Sequence, residues 1–254
     1  MKRALPGRAA AVAFVVLGAA APAAGKDKAS DAAQVDIQFS LCAPPAQVES
    51  ALALRPRGAA FDVWLFDDPA LALFGKGLRI RLRDTGRGAE LTLKVADQDC
   101  AKLPAGALAA GEGKCEYDLH GEKLAGALSL TRSVDRPAAN ELVTGRRPLA
   151  SALSAAQVHY LQGVPGAWPL PAGLRTLGPT RVRSYRAEGK PYVVDVSELP
   201  GGERFIEISR KVGLADLQRQ RDRLESDLAQ AGVAVCGDQT AQAVSKLRAL
   251  LRRP

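Results

Sequence analysis

Residues Phe61–Val95 read FDVWLFDDPALALFGKGLRIRLRDTGRGAELTLKV, and the fold turns on them. Two strand-like runs stand in this stretch, GLRIRLRD and AELTLKV. Side chains alternate between the two faces of a strand. Leu78, Ile80 and Leu82 therefore share one face of the first run, and Arg79, Arg81 and Arg83 share the other. Leu91, Leu93 and Val95 alternate in the same way with Glu90, Thr92 and Lys94. The intervening DTGRG is turn chemistry, so the pair reads as a hairpin. A face of three arginines with a lysine beside it admits two readings. It is either the solvated outer face of an antiparallel sheet or the inside of a polar barrel that binds several phosphates through guanidinium forks.

The chain has 254 residues, a net charge of +8 and 47% hydrophobic residues. That suffices for a sizeable core in one or two domains. It opens MKRALPGRAAAVAFVVLGAAAPAAGKDK. Lys2, Arg3 and Arg8 precede an apolar run, Ala9–Ala20, and small residues at Ala21-Pro22-Ala23. This predicts a cleaved secretory signal over residues 1–24, because the run is too short to span a bilayer. No cysteine closely follows that run, which argues against a lipid anchor, and no later run is long and apolar enough to span. A periplasmic or secreted protein is expected. Loss of the three basic leader residues takes the charge from +8 to +5. That mild charge and the scarcity of aromatics argue against nucleic acid as a partner.

Export makes the four cysteines candidates for disulfides. Cys100 and Cys115 would close a Gly- and Ala-rich loop between two strands, leaving Cys42 to tie the first strand to the C-terminal helices through Cys236. Four cysteines allow three pairings, and free buried thiols are the alternative. Their spacing matches no zinc ligand set, and with only His120 and His159 a histidine-based site is not expected.

Elsewhere residues 25–33 read as a disordered lead. VDIQFSL alternates Val35, Ile37, Phe39 and Leu41 against Asp36, Gln38 and Ser40. KCEYDLHG sets Glu116, Asp118 and His120 on one face. Leu124–Leu130 is apolar and ambiguous between strand and helix. After a Pro- and Gly-rich segment at Gly163–Gly173, TRVRSYR places Arg181 and Arg183 together. PYVVDVSEL and ERFIEISRKV then pair Asp195 with Ser197 and Glu207 with Ser209 on their polar faces. Two amphipathic helices follow, Leu214–Ala231 and Gln239–Arg252, with stripes read as core. Basic and acidic strands with one apolar face each either expose their charges or roll up around them.

The order of these segments resembles the CYTH family, the triphosphate tunnel metalloenzymes. The likeness rests on FDVWLFDDPALALFGKGLRIRLRD with AELTLKV, on LGPTRVRSYR with PYVVDVSEL, and on FIEIS. It implies an α+β protein whose residues 34–213 form a closed eight-stranded antiparallel tunnel, with the helices of 214–254 packed on it. It implies phosphate binding by Arg79, Arg81 and Lys94, with Arg181 and Arg183 opposite; Arg83 joins them from the row of arginines. It also implies a metal side made by Glu116, Asp118 and Glu207, with Asp36 on the first strand, for Mg²⁺ or Mn²⁺. Family members hydrolyse triphosphates or cyclise ATP. This chain departs from the pattern where Gln38 and Ser40 replace a glutamate and a lysine, and where Ser209 replaces a second glutamate. The expectation is an exported binder of triphosphate, polyphosphate or a similar anionic small molecule or polymer, with hydrolysis weakened or lost. An active metal-dependent triphosphatase and a partner-binding module with a salt-bridged lumen are the alternatives.

Overall fold

The computed structural model describes residues 34–252, apart from 85, 87 and 104–112. The expected signal peptide and the lead over residues 25–33 lie outside the described residues. In chain order the elements are β1 (Gln34–Leu41), α1 (Pro45–Ala51), β2 (Leu54–Pro56), β3 (Phe61–Asp67), α2 (Ala72–Gly75), β4 (Leu78–Asp84) and β5 (Ala89–Ala96). They continue with β6 (Gly113–His120), β7 (Lys123–Val134), α3 (Arg136–Val143), α4 (Ala155–Gln162), β8 (Arg175–Ala187), β9 (Val193–Glu198) and β10 (Arg204–Gly213). Two helices close the chain, α5 (Leu217–Gln230) and α6 (Gln239–Leu251).

The strands run in the order β2-β8-β3-β4-β5-β7-β6-β1-β10-β9, and β9 pairs back onto β8. Nine strands thus form a closed barrel, and β2 lies outside it against β8. This corrects the eight antiparallel strands expected from the sequence in two ways. One seam, β1 against β6, is parallel, with Asp36 across from Asp118. The ambiguous Leu124–Leu130 run belongs to β7, a twelve-residue strand whose apolar residues do not alternate cleanly.

The barrel carries its apolar residues on the outside. Leu78, Ile80, Leu82, Leu91 and Leu93 are fully buried, yet they pack outward against Ala139 and Leu142 of α3 and Leu161 of α4. On the opposite wall Val35, Ile37, Val194 and Ile208 pack against Val48 of α1 and Leu224 and Leu228 of α5. Two apolar layers therefore sandwich a wall whose inner face is polar, the pattern a closed barrel imposes on alternating strands.

Local chemistry fixes the ends of these elements. The buried Asp67 carboxylate accepts backbone N–H groups from Asp68, Leu73 and Phe74 at 2.8–3.0 Å, and Asp68 accepts from Ala72. The Asp67-Asp68-Pro69 turn thereby stops β3 and aims β4. Ser154 and Gln157 form a capping box on α4. The fully buried Gln157 amide also donates to Leu91 O and Leu130 O, pinning the helix to β5 and β7. A Cβ at Gly126 would lie 1.9 Å from Gln98 O, so only glycine lets the loop after β5 cross β7. Both disulfides are those the sequence favoured, Cys100–Cys115 and Cys42–Cys236. The second joins positions 194 residues apart.

Candidate anion site in the barrel lumen

The inner face is read from the strand registers. Arg79, Arg81 and Arg83 on β4 stand opposite Lys94, Thr92 and Glu90 on β5. Their Leu and Ile neighbours take the outer core, so the arginine row points into the lumen. The Arg79 and Arg81 side chains are accessible to solvent. Burial lowers the pKa of both guanidinium groups, and Arg83 adds repulsion at Arg81. Among the described residues neither forms an ion pair; Arg79 stacks over the Phe74 ring at 5.1 Å. Arg83 lies 3.9 Å from the Phe61 ring centre, and its buried Nε has no hydrogen-bond partner.

The carboxylates are differently placed. Lys94 forms an ion pair with Asp118 over the inner face of β7, which lies between their strands. Glu116 receives the ammonium groups of Lys114 at 2.7 Å and Lys211 at 2.5 Å. Burial alone would raise the Glu116 carboxyl, yet those two hydrogen bonds hold it below its ordinary value. Asp36 stands directly across from Lys211 on β10, and burial raises its pKa. One Asp36 oxygen, Oδ1, is buried without a partner. Glu207 lies deeper, across from Ser40 on β1 and Asp195 on β9. Desolvation raises its pKa, against the pull of Lys246. Asp195 accepts a hydrogen bond from Ser184 at 2.6 Å.

Two predicted residues fall elsewhere. Arg181 and Arg183 share a face of β8 with Tyr185, which packs with Val194 and Val196 in the outer core. Both arginines therefore face away from the lumen, and Arg181 pairs with Asp62 at 3.0 Å. The alternate residues Val182 and Ser184 face inward, opposite Ser197 and Asp195. A two-residue alternation groups side chains correctly but does not say which group faces in. The core packing of the neighbouring strands decides that.

Four lumen contributors were not named from the sequence, among them Lys114, which precedes Glu116 on the same face of β6. Lys211 continues the Phe205, Glu207, Ser209 alternation of β10 by one step, so the signal was present. Phe61 begins β3 on the same face as Val63, which stands across from Arg83. Lys246 comes from α6, and no strand pattern could have placed it. Its Nζ donates to Ser197 Oγ at 2.8 Å, and burial lowers its pKa.

The path of α6 explains that reach. At its start Gln239 bonds the Ser40 backbone and lies against Gly121, in the turn between β6 and β7. Near its end Ala249 and Leu250 pack on Leu65 of β3, Leu177 of β8, Leu199 just after β9 and Phe205 of β10. The helix therefore crosses one mouth of the lumen. The opposite mouth, ringed by Arg83, Glu90, Lys114, Glu116 and Lys211, carries no such crossing element among the described residues.

The four predicted metal-side carboxylates do not assemble. Among the described residues no three Asp, Glu, His or Cys side chains stand together to hold an ion. Mg²⁺ and Mn²⁺ require several oxygen ligands at short range. Here Glu116 and Asp118 already hold lysine ammonium groups, so the residues present do not fit a divalent metal.

No family model matches this sequence, and no curated protein does. Solved structures do match in fold. HpAC1 from Hippeastrum, described as an adenylyl cyclase candidate with a dominant triphosphatase activity, superposes with a TM-score of 0.53 at 18% identity. The match covers 83% of this chain and 94% of that one. A candidate adenylate cyclase from Bacillus halodurans gives a TM-score of 0.50 at 14% identity, over 82% of this chain and 95% of its own. The fold is CYTH-like. At these identities the likeness establishes the CYTH-type barrel and leaves its chemistry to be argued from this chain's own residues.

Proposed function

We propose that this CYTH-like barrel binds triphosphate and other short phosphate chains in its lumen, without hydrolysing them. One observation carries the reading. Arg79 and Arg81 point into the lumen without a direct ion pair among the described residues, while the neighbouring lumen carboxylates Glu116 and Asp118 are paired with lysines. Glu207 and Asp118 attract Arg79, and Glu90 and Asp195 attract Arg81, yet burial still outweighs them, so a bound anion returns part of the desolvation cost. Two adjacent arginines suit the equatorial oxygens of a phosphate chain. The triphosphatase activity described for HpAC1 supports the same ligand class. The helix across one mouth favours a short anion, or the end of a longer one, over a polymer threaded through. Loss of hydrolysis is expected from a metal side on which Glu116 and Asp118 already hold lysines. The leader-like N-terminus and two disulfides support an exported protein.

Titration calorimetry with sodium tripolyphosphate at low salt tests this. Heat that weakens with added salt is expected, with affinity falling about tenfold or more in Arg81→Ala, as loss of a charge-assisted contact implies. No heat at low salt overturns the reading. An Arg81→Ala change that alters stability and leaves ligand response untouched favours a salt-bridged structural module. Orthophosphate release that a chelator abolishes favours the hydrolase.

A further inference from the structure

The mouth of the lumen opposite α6 carries its own cations. Lys211 sits on β10 directly across from Asp36, and its Nζ lies 2.5 Å from Glu116 Oε1. Asp36 in turn stands across the parallel seam from Asp118. Lys211 is thus placed beside Asp36 and Glu116, two of the four carboxylates that a metal-dependent tunnel would offer an ion. Two further lysines complete the neutralisation, Lys114 on Glu116 at 2.7 Å and Lys94 on Asp118.

An ammonium on a strand differs from a free dication in three respects. It is delivered by the fold, so it binds without loss of translational freedom. It offers three donors and accepts no ligand, so it cannot polarise a phosphoryl oxygen as a Lewis acid does. It also repels any dication that approaches the same carboxylate oxygens. Glu116 Oε1 takes both Lys114 and Lys211, so a metal would have to displace two ammonium groups to gain one oxygen.

We propose that Lys211, with Lys114 and Lys94, replaces the divalent metal of this lumen, so that the protein takes its phosphate ligand independently of Mg²⁺ or Mn²⁺. The proposal rests on the anion-binding reading for its ligand and on the lysine–carboxylate contacts for its cation.

The test uses two probes on the purified full-length protein with its disulfides intact. Mn²⁺ alone is titrated and followed by the electron paramagnetic resonance of the free ion. Sodium tripolyphosphate is titrated calorimetrically in EDTA and in Mg²⁺. The wild type should leave the Mn²⁺ signal undiminished, and it should bind tripolyphosphate in EDTA with no divalent metal present. Lys211→Met should bind Mn²⁺ at least about tenfold more tightly than the wild type. Wild-type uptake of Mn²⁺ equal to that of Lys211→Met overturns the proposal. So does tripolyphosphate binding that needs Mg²⁺, or a folded Lys211→Met protein that still ignores Mn²⁺. If Lys211→Met does not fold by circular dichroism, the wild-type Mn²⁺ titration and the EDTA comparison decide alone. If tripolyphosphate gives no heat in either buffer, the anion reading fails while the Mn²⁺ measurement still decides the role of Lys211.

Discussion

The ammonium of Lys246, carried by the C-terminal helix, hydrogen-bonds Ser197 Oγ on β9 at 2.8 Å inside the barrel. Glu207 and Asp195 attract it, and Arg79 and Arg81 repel it. The site thus gains a cation from outside its strands, close to Glu207, the cross-strand partner of Ser40. Position 40 is where the family pattern carries a strand lysine. Lys246→Met should weaken tripolyphosphate binding by about tenfold, the scale of one charge-assisted contact. Thermal stability should not fall, because burial already opposes the charge. Calorimetry and thermal melting of the same variant check both halves.

Asp36 provides a pH signature. Burial comes first among the causes that raise its folded-state pKa above the ordinary value of 3.8. A carboxyl raised in the folded state contributes stability that is whole below the unfolded value and is lost as pH rises through the folded one. Asp36→Asn should therefore raise the melting temperature at neutral pH and flatten its acid-to-neutral slope. A variant that melts lower at neutral pH than the wild type would contradict this.

The Cys42–Cys236 bridge closes a loop of 194 residues. Chain entropy sets a ceiling of roughly 5 kcal/mol on its stabilisation. Cys42→Ser with Cys236→Ser should lower stability by several kcal/mol and speed amide exchange in residues 239–251 before the strands loosen. Hydrogen exchange by mass spectrometry reads this directly.

Asp67→Ala should cost about 3 kcal/mol, since three backbone N–H groups lose a charged acceptor at a buried position. The β3–β4 connection then no longer fixes the direction of Arg79, so tripolyphosphate affinity should fall as well. Urea melts and calorimetry on the variant measure the two effects separately.

Gly126→Ala should destabilise by at least roughly 2 kcal/mol, because the new methyl group meets the Gln98 carbonyl. Ala125→Gly, one residue away, should do far less. Paired chemical melts distinguish a backbone crossing from a general intolerance of β7.

Alternation in GLRIRLRD and ERFIEIS exposed the two-faced strands in the sequence, because one face needs aliphatic packing and the other does not. The cysteine pairs were legible for a similar reason, since a short loop between strands brings Cys100 to Cys115. Arg181 and Arg183 misled because alternation has no sign; only Tyr185, Val194 and Val196 packing together shows which side is out. The parallel β1–β6 seam leaves no local trace at all, being a relation between strands about 80 residues apart. Lys246 was hidden because a helix pattern reports its own apolar stripe and not the cavity beneath it.

The first strand of this barrel is flanked by β6 on one edge and β10 on the other. During vectorial synthesis β1 emerges with both edges unsatisfied, and one of them stays open after β6 is made until β10 arrives. Ring closure is therefore a late event of high contact order, and the nascent chain carries an adhesive edge throughout.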